Sequence, residues 1–325
     1  MAKFDFQKYF GEIAPLSDAL REEEQRGWEM AVPPNPEPSE FVLYLGCNVL
    51  RTVNLAESVV EIMRYLGVDF KAVGGAANCC GIVHDRNGDR EGGDKFRHHS
   101  LGKLASLQPQ QVLTFCPTCH NRMDDVVPDR EAFDVPYLHL SEFFVENLGR
   151  MKFVNRLERR VVFHAHGTVA QQIKDGEMMR TLLEAIPGLE VITPPPSEEF
   201  GYTCSPGEIA KIGEPRYVEL VDGLFDLARE RGADAVVASY HGCYRKFCDW
   251  EAKSGLEVLH YSDLLCQSLG LRSYKHTYKS HRLADDPEGA FQALGPTAEQ
   301  RGVSLEKLRN ATESHFRNGK NPMDG

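Results

Sequence analysis

The nine cysteines of this 325-residue chain are its most reactive side chains, and most of them occur in groups. Five of them have the spacing C-x31-CC-x35-C-x2-C, and these are Cys47, Cys79, Cys80, Cys116 and Cys119. Thiolates grouped in this way bind zinc or iron–sulfur clusters, or perform thiol–disulfide chemistry. In a reducing compartment they are not expected to form structural disulfides. The sequence therefore indicates metal binding or redox chemistry.

Each cysteine group follows a run of residues that is typical of a buried parallel strand. The strands are predicted at Phe41–Leu45, Val68–Val73 and Gln111–Phe115, with helices near 54–66 and 98–107 between them. Alternation of strands and helices predicts a parallel sheet with right-handed connections. Because the carboxyl ends of parallel strands meet at one edge, we expect the five thiols to converge there.

Several kinds of site are compatible with these cysteines. Cys116-Pro117-Thr118-Cys119 alone suits a redox dithiol, and four thiolates suffice for structural zinc. Five thiolates at one edge favour a larger inorganic group, and Gly74, Gly75 and Gly81 allow the backbone to approach it closely. The Gly-rich and charged stretch Asp85–Asp94 is predicted as an exposed loop.

The pattern of strands occurs twice along the chain. Arg160–Phe163 repeats Phe41–Tyr44, and Leu259–Leu265 repeats Leu138–Phe144. We therefore expect an α/β protein of two pseudo-symmetric lobes, each a small, mostly parallel sheet flanked by helices.

Four segments follow from this pattern. The predicted segments are an N-terminal helical extension with a Pro-rich linker (1–40, helix near Pro15–Met30), a first lobe (41–150), a second lobe (151–272) and a polar C-terminal tail (273–325) with a helix at Ser304–Phe316.

Composition excludes several classes of function. Lys and Arg total 37 against 48 Asp and Glu, a formal net charge of −11, which argues against nucleic-acid binding. No apolar run approaches the ~20 residues that span a membrane. The N-terminal residues do not resemble an export signal, so a cytoplasmic location is expected. The sequence also lacks ferredoxin-type, dinucleotide-binding and P-loop motifs.

The five-cysteine spacing, with its Cys79-Cys80-Gly81 tripeptide, resembles the CCG domain of the B subunit of heterodisulfide reductase and its relatives. The resemblance extends over both lobes, from about residue 41 to 270. It implies that Cys47, Cys79, Cys80, Cys116 and Cys119 bind a noncubane [4Fe–4S] cluster. It also implies a ferredoxin-type iron–sulfur subunit and a flavoprotein subunit as partners, and a small disulfide, thiol or sulfur carrier as substrate.

The second lobe departs from this motif. His166 stands where the first lobe has Cys47, Tyr240 where it has Cys116, and Cys243 where it has Cys119; the paired cysteines are reduced to Cys204. A five-thiolate cluster is therefore not expected there. The remaining donors are predicted to be His166, Cys204, His241 and Cys243, with His164 nearby, and such a set suits zinc or a [2Fe–2S] centre. An empty lobe with hydrogen-bonded histidines is the alternative.

These features predict an iron–sulfur oxidoreductase subunit of a heterodisulfide-reductase-like complex, acting on a disulfide or another sulfur compound. The alternatives are an electron-relay subunit of a hydroxy-acid dehydrogenase complex and a zinc-binding structural or assembly subunit. His84 and His120 follow the cysteine groups and are candidate proton donors, because histidine exchanges protons near neutral pH. Cys248 and Cys266 are predicted to be packed thiols.

Overall fold

The computed structural model describes residues 5–21, 28, 36–124, 135–194, 204 and 206–317. The apolar runs recognised in the sequence form short strands, within about two residues of their predicted bounds. The strands are β1 Phe41–Gly46, β2 Phe70–Gly74, β3 Gln111–Thr114, β4 Tyr137–His139, β5 Arg159–His164, β6 Leu189–Ile192, β7 Ala235–Ala238 and β8 Glu257–His260.

Helices precede, separate and follow the strands of the described chain. They are α1 Phe6–Leu20, α2 Val53–Tyr65, α3 Ile82–Arg86, α4 Arg90–Ser106, α5 Pro117–Asp124, α6 Leu140–Glu146, α7 Ala170–Glu184, α8 Pro206–Ile212, α9 Glu214–Glu230, α10 His241–Ser254, α11 Tyr261–Leu269, α12 Thr277–Ala284, α13 Pro287–Gln300 and α14 Leu305–His315. In the described part of the chain, no helix combines the length and the apolar character that crossing a membrane requires.

The strands form two separate four-stranded sheets with the same internal order. The first sheet runs β2-β1-β3-β4 and the second runs β6-β5-β7-β8, and every neighbouring pair is parallel. The central strands are buried along most of their length, as Val42–Leu45 and Val161–Phe163 show, because helices must cover both faces of a parallel sheet. The predicted α/β class with two parallel sheets is confirmed.

The chain divides into two compact units. Among the described residues, the first unit contains residues 5–56, 67–140 and 286–317, and the second contains 57–66 and 141–285. Of the predicted C-terminal segment, residues 273–285 belong to the second unit and residues 286–317 to the first. Within the first unit, α14 packs against α1 and α13, and it buries Leu308 and Phe316. Between the polar residues of α14, apolar residues recur at helical spacing and form one apolar face.

The N-terminal helix lies earlier than predicted. It begins after Asp5, whose Oδ1 accepts the backbone N–H of Lys8 at 2.9 Å, and it ends at Leu20. Pro15 therefore lies inside the helix rather than at its start. Of the predicted extension to Met30, residues 22–27 and 29–30 lie outside the described residues.

The stretch Asp85–Asp94 is not an exposed loop. It contains the end of α3 and the start of α4, and Asp89 caps α4 by accepting the N–H of Gly92 at 3.0 Å. The prediction was wrong because Gly92 and Gly93 lower helix propensity, whereas the Asp89 cap and the packing of α4 stabilise the helix.

Candidate metal centres

The ends of three neighbouring strands carry the five cysteines of the first unit. Cys47 directly follows β1, and Cys79 and Cys80 follow β2 after a short 3₁₀ turn at Ala76–Asn78. Cys116 precedes α5, and Cys119 lies in the first turn of that helix. All five are buried free thiols. The topology therefore brings these cysteines to the carboxyl edge of one sheet, where ligands of α/β folds bind.

The five sulfur atoms interact as a connected group. Cys47 Sγ lies 3.7 Å from Cys79 Sγ, and Cys80 is hydrogen-bonded to both Cys79 and Cys119. Hydrogen bonds from Cys119 and Cys79 lower the pKa of Cys80 well below its usual range. Contacts with Cys47 raise the pKa of Cys79, and contacts with Cys116 raise that of Cys119. Crowded thiolates repel one another, so further deprotonation requires compensating cations.

Glycines make room for this group of sulfur atoms. A Cβ on Gly46 would lie 2.9 Å from Cys119 Sγ, and Gly46 has a φ of +74°. Gly81, directly after Cys80, has a φ of +83°, and a Cβ there would lie 2.1 Å from the carbonyl oxygen of Gly93. Both positions therefore require glycine. The sequence signal for Gly46 is its position between a buried strand and Cys47.

Hydrogen bonds fix the backbone that carries the cysteine pair. Ser100 Oγ donates to the carbonyl oxygen of Cys79 at 2.8 Å, and Tyr44 Oη donates to that of Asn78 at 2.5 Å. Lys103 Nζ donates to Asn78 Oδ1 at 2.9 Å. Five converging thiols on a rigid, glycine-lined turn fit a polynuclear iron–sulfur group better than a single tetrahedral ion, which takes four ligands.

The two candidate proton donors occupy different environments. His84 is buried in α3; its Nδ1 lies 2.7 Å from Asp89 Oδ2, and its ring stacks on Phe6 at 4.1 Å between centroids. His120 is buried in α5, and its Nδ1 lies 2.7 Å from Thr114 Oγ1. Both rings are thus held by a hydrogen bond at Nδ1.

The second unit brings two histidines and two cysteines together. The ligand atoms of His164, His166, Cys204 and Cys243 all lie within 4.8 Å of one another, and all four residues are buried. His166 Nε2 lies 3.1 Å from Cys243 Sγ, and His164 Nε2 lies 3.6 Å from Cys204 Sγ.

The composition of this group differs from the predicted set in one residue. His164 is a member, and His241 is not. His241 and Cys243 are the first and third residues of α10. Residues two apart on a helix point in different directions, so both cannot face the same centre. Because Cys243 aligns with Cys119, that rule and the alignment together could have excluded His241 from the sequence.

The alignment of the two units is supported at the helix that follows the third strand of each sheet. Cys119 is the third residue of α5, and Cys243 is the third residue of α10. Tyr240 precedes α10 as Cys116 precedes α5, and Tyr240 Oη donates to Asp175 Oδ2 at 2.9 Å instead of binding a metal. The two sites therefore occupy corresponding places in two sheets of the same order.

Comparison with known families defines the class of the first unit. Residues 41–124 match the CCG family, a cysteine-rich domain, and these residues include all five cysteines. The matched residues contain β1, β2 and β3, the three strands that the five cysteines follow.

Two curated proteins are similar to the chain. It is 23% identical, over 266 residues and 78% of its length, to the D subunit of the dihydromethanophenazine:CoB–CoM heterodisulfide reductase of Methanosarcina acetivorans. It is 21% identical, over 159 residues and 48% of its length, to the probable iron-sulfur-binding oxidoreductase FadF of Bacillus subtilis. The matched segments span 64% of the Methanosarcina protein and 22% of FadF, so the chain corresponds to part of each relative.

Two solved structures overlap with most of the chain at low scores. An aspartate racemase homologue from Pyrococcus horikoshii OT3 covers 71% of the chain with a TM-score of 0.31 and 16% identity, over 97% of its own length. An Asp/Glu racemase from Yersinia pestis, described as putative, covers 70% with a TM-score of 0.33 and 11% identity, over 96% of its own length. Overlaps of this quality are not evidence for a shared activity.

Proposed function

We propose that this chain is the iron–sulfur subunit of a heterodisulfide-reductase-like complex. In this role it transfers electrons to or from a disulfide or another sulfur-containing substrate. The observation that carries the proposal is the convergence of five buried, mutually interacting thiols at one sheet edge of a CCG domain. The similarity to a protein of a heterodisulfide reductase supports it.

Cys47, Cys79, Cys80, Cys116 and Cys119 would hold a noncubane [4Fe–4S] cluster. Such a cluster, when bound, would supply an electron-transfer centre with iron able to bind sulfur. The chain itself contributes the rigid turn, the buried surroundings and the hydrogen bonds that tune such a centre. One of these is the backbone N–H of Ile82, which donates to Cys80 at the start of α3.

Protons must accompany the electrons, because reducing one disulfide to two thiols consumes two electrons and two protons. We assign proton delivery to His84, with His120 as the second candidate. Asp89 orients the His84 ring through Nδ1, so Nε2 is the atom that would take up and release the proton, the arrangement that acids and bases of enzymes commonly use. The electrons would come from a partner, which we propose to be a ferredoxin-type or flavoprotein subunit.

The second candidate function is electron relay within a hydroxy-acid dehydrogenase complex, without substrate chemistry at this chain. Similarity to an iron-sulfur-binding oxidoreductase favours it. Turnover of the assembled complex distinguishes the two functions, because disulfides serve as substrate in the first case and hydroxy acids in the second. In both cases nine buried free thiols suit a reducing compartment such as the cytoplasm.

The first test is the cluster itself, on full-length chain purified without oxygen. We expect about four iron and four sulfide per chain and an EPR signal unlike that of a cubane. Cys80→Ser should lose or distort this signal, whereas Cys266→Ser should retain it, because Cys266 is buried in a helix of the other unit. Equal iron content in the two variants, or zinc without iron after anaerobic reconstitution, would contradict the proposal and favour a structural subunit.

A further inference from the structure

The second unit contains a group of donors that the proposed function does not use. His164 ends β5, His166 lies two residues later, Cys243 lies in the first turn of α10, and Cys204 shortly precedes α8. Each is at most 5% exposed. Mixed imidazole and thiolate ligands are those of tetrahedral Zn²⁺ sites.

The distances identify the kind of centre that fits. Around one tetrahedral zinc ion, with bonds of ~2.3 Å to sulfur and ~2.0–2.1 Å to nitrogen, a sulfur and a nitrogen ligand lie ~3.5 Å apart. The two measured nitrogen–sulfur distances, 3.1 Å for His166–Cys243 and 3.6 Å for His164–Cys204, are close to that value. In a Rieske-type [2Fe–2S] centre the two histidines bind one iron and the two cysteines bind the other. Both iron atoms then lie between the nitrogen ligands and the sulfur ligands. The direct contacts therefore favour a mononuclear ion.

The hydrogen-bonded state of His166 also suits a ligand. Gln172 Oε1 lies 3.1 Å from His166 Nδ1, and since an amide oxygen can only accept, Nδ1 carries the proton. The lone pair is then on Nε2, which accepts the backbone N–H of Cys204 at 3.4 Å and faces Cys243 Sγ. An outer hydrogen bond at the second ring nitrogen is the usual support of a metal-bound histidine.

The two thiols are already unequal in proton affinity. Burial alone would raise the pKa of Cys204, but the hydrogen bond from Cys243 and the charge of His164 lower it well below its usual range. Burial and the neighbouring Cys204 raise the pKa of Cys243. Cysteine binds a metal as the thiolate, and a divalent cation would neutralise the charge of the two thiolates.

We propose that the second unit binds one Zn²⁺ ion through His164, His166, Cys204 and Cys243. With four protein ligands the coordination sphere is closed, so the ion is structural and redox-inert. It links the end of β5, the first turn of α10 and Cys204, which lies two residues before α8. The proposed zinc site contains none of the five cysteines of the first unit, so it can be tested separately from the proposed function.

The decisive measurement is zinc K-edge absorption spectroscopy on anaerobically purified full-length chain supplied with one equivalent of Zn²⁺. We expect one zinc per chain, with two sulfur neighbours at ~2.3 Å and two nitrogen neighbours at ~2.0–2.1 Å. Four sulfur neighbours would place the zinc on the first-unit cysteines and overturn the proposal. Iron with a Rieske-type EPR signal, or no zinc uptake, would do the same.

Matched variants test the ligand set. His164→Ala should weaken zinc binding by more than about tenfold, the loss that even outer-shell changes produce, whereas His241→Ala should retain it. Both histidines are buried in the same unit, so equal zinc loss in the two variants would overturn the assignment. Cys80→Ser should retain zinc whatever its effect on iron, which separates failure of this inference from failure of the proposed function.

Discussion

The nine cysteines occupy three chemical environments, although all are buried. Five lie in mutual contact, and two contact histidines. The remaining two donate to backbone carbonyl oxygens: Cys248 Sγ to Tyr244 at 3.2 Å, and Cys266 Sγ to Ser58 at 3.3 Å. Burial raises the pKa of each of these two thiols to about 12. They remain protonated at neutral pH and are poor metal ligands.

The Cys248 thiol should make the free energy of unfolding depend on pH in the alkaline range. The unfolded chain loses the thiol proton near the ordinary pKa of 9.0, whereas the folded chain keeps it to about 12. The free energy of unfolding should therefore fall as pH rises through this window, by up to about 1.4 kcal/mol per pH unit from this group. Urea titrations at pH 8, 9 and 10 should show a shallower fall for Cys248→Ala than for the unmodified chain. Parallel pH profiles would contradict this account.

Residue types and spacing selected most of the residues that the structure brings together at the two candidate sites. The five cysteines could be selected because each follows an apolar run that becomes a buried strand. The mixed site was anticipated except for the choice between His164 and His241, which depends on the direction in which a helix projects its first turn. The spacing of residues in the sequence predicts which of them lie near the carboxyl edge of a sheet. The direction of each side chain decides which of these residues contact one another.

At the scale of elements, the strands were easier to predict than the helices. A fully buried parallel strand is a continuous apolar run, so β1 and β7 were visible in the sequence. The second half of α4 was predicted, as the helix near 98–107, but its start at Arg90 was not. The helix is weakly amphipathic and contains Gly92 and Gly93, so the Asp89 cap and packing within the first unit decide where it begins. Helix propensity is a weak guide where tertiary contacts supply the stability.

The turn between Cys80 and α3 depends on the close approach of two backbones. Gly81 and Gly88 have nearly the same φ, +83° and +82°, but a Cβ at Gly88 would meet nothing within 4 Å. Gly88→Ala should cost about 1–2 kcal/mol of unfolding free energy, from the left-handed conformation alone. Gly81→Ala should cost about 1–3 kcal/mol more, because the carbonyl of Gly93 must move.

Urea unfolding of the two variants, with iron content measured in parallel, checks this prediction. We expect Gly81→Ala to lose iron as well as stability, and Gly88→Ala to retain iron. Equal destabilisation of the two variants would show that Gly93 moves freely, and the close approach would then have no energetic consequence.

At the scale of the whole chain, the first unit is completed by residues from the C-terminal region. Its final described segment reaches back to the turn that follows β1, where His315 ring nitrogens lie 3.1 Å from Nη1 of the buried Arg51. Arg51 Nη2 donates to Asn48 Oδ1 at 2.5 Å, directly after Cys47. The sequence predicted a tail here, because packing between residues far apart in the chain leaves little local pattern in the sequence beyond a short apolar stripe.

This docking predicts a large effect far from the cysteines in sequence. Phe316 is fully buried, so Phe316→Ala should cost about 3–5 kcal/mol. Val154 is 70% exposed, and Val154→Ala should change stability by less than about 0.5 kcal/mol. Thermal or urea unfolding of both variants measures the difference. A mild effect of Phe316→Ala would show that the C-terminal helices contribute little to the first unit.

The shared strand order of the two sheets has a practical consequence. One polypeptide presents an all-thiolate donor set and a mixed imidazole–thiolate set on frameworks of the same topology. Both sets experience the same expression host, purification, oxygen exposure and metal supply. Differences in metal uptake within a single sample therefore reflect the donors and their surroundings rather than handling. The chain is its own internal standard for measuring how the replacement of thiolates by imidazoles changes the selection between iron and zinc.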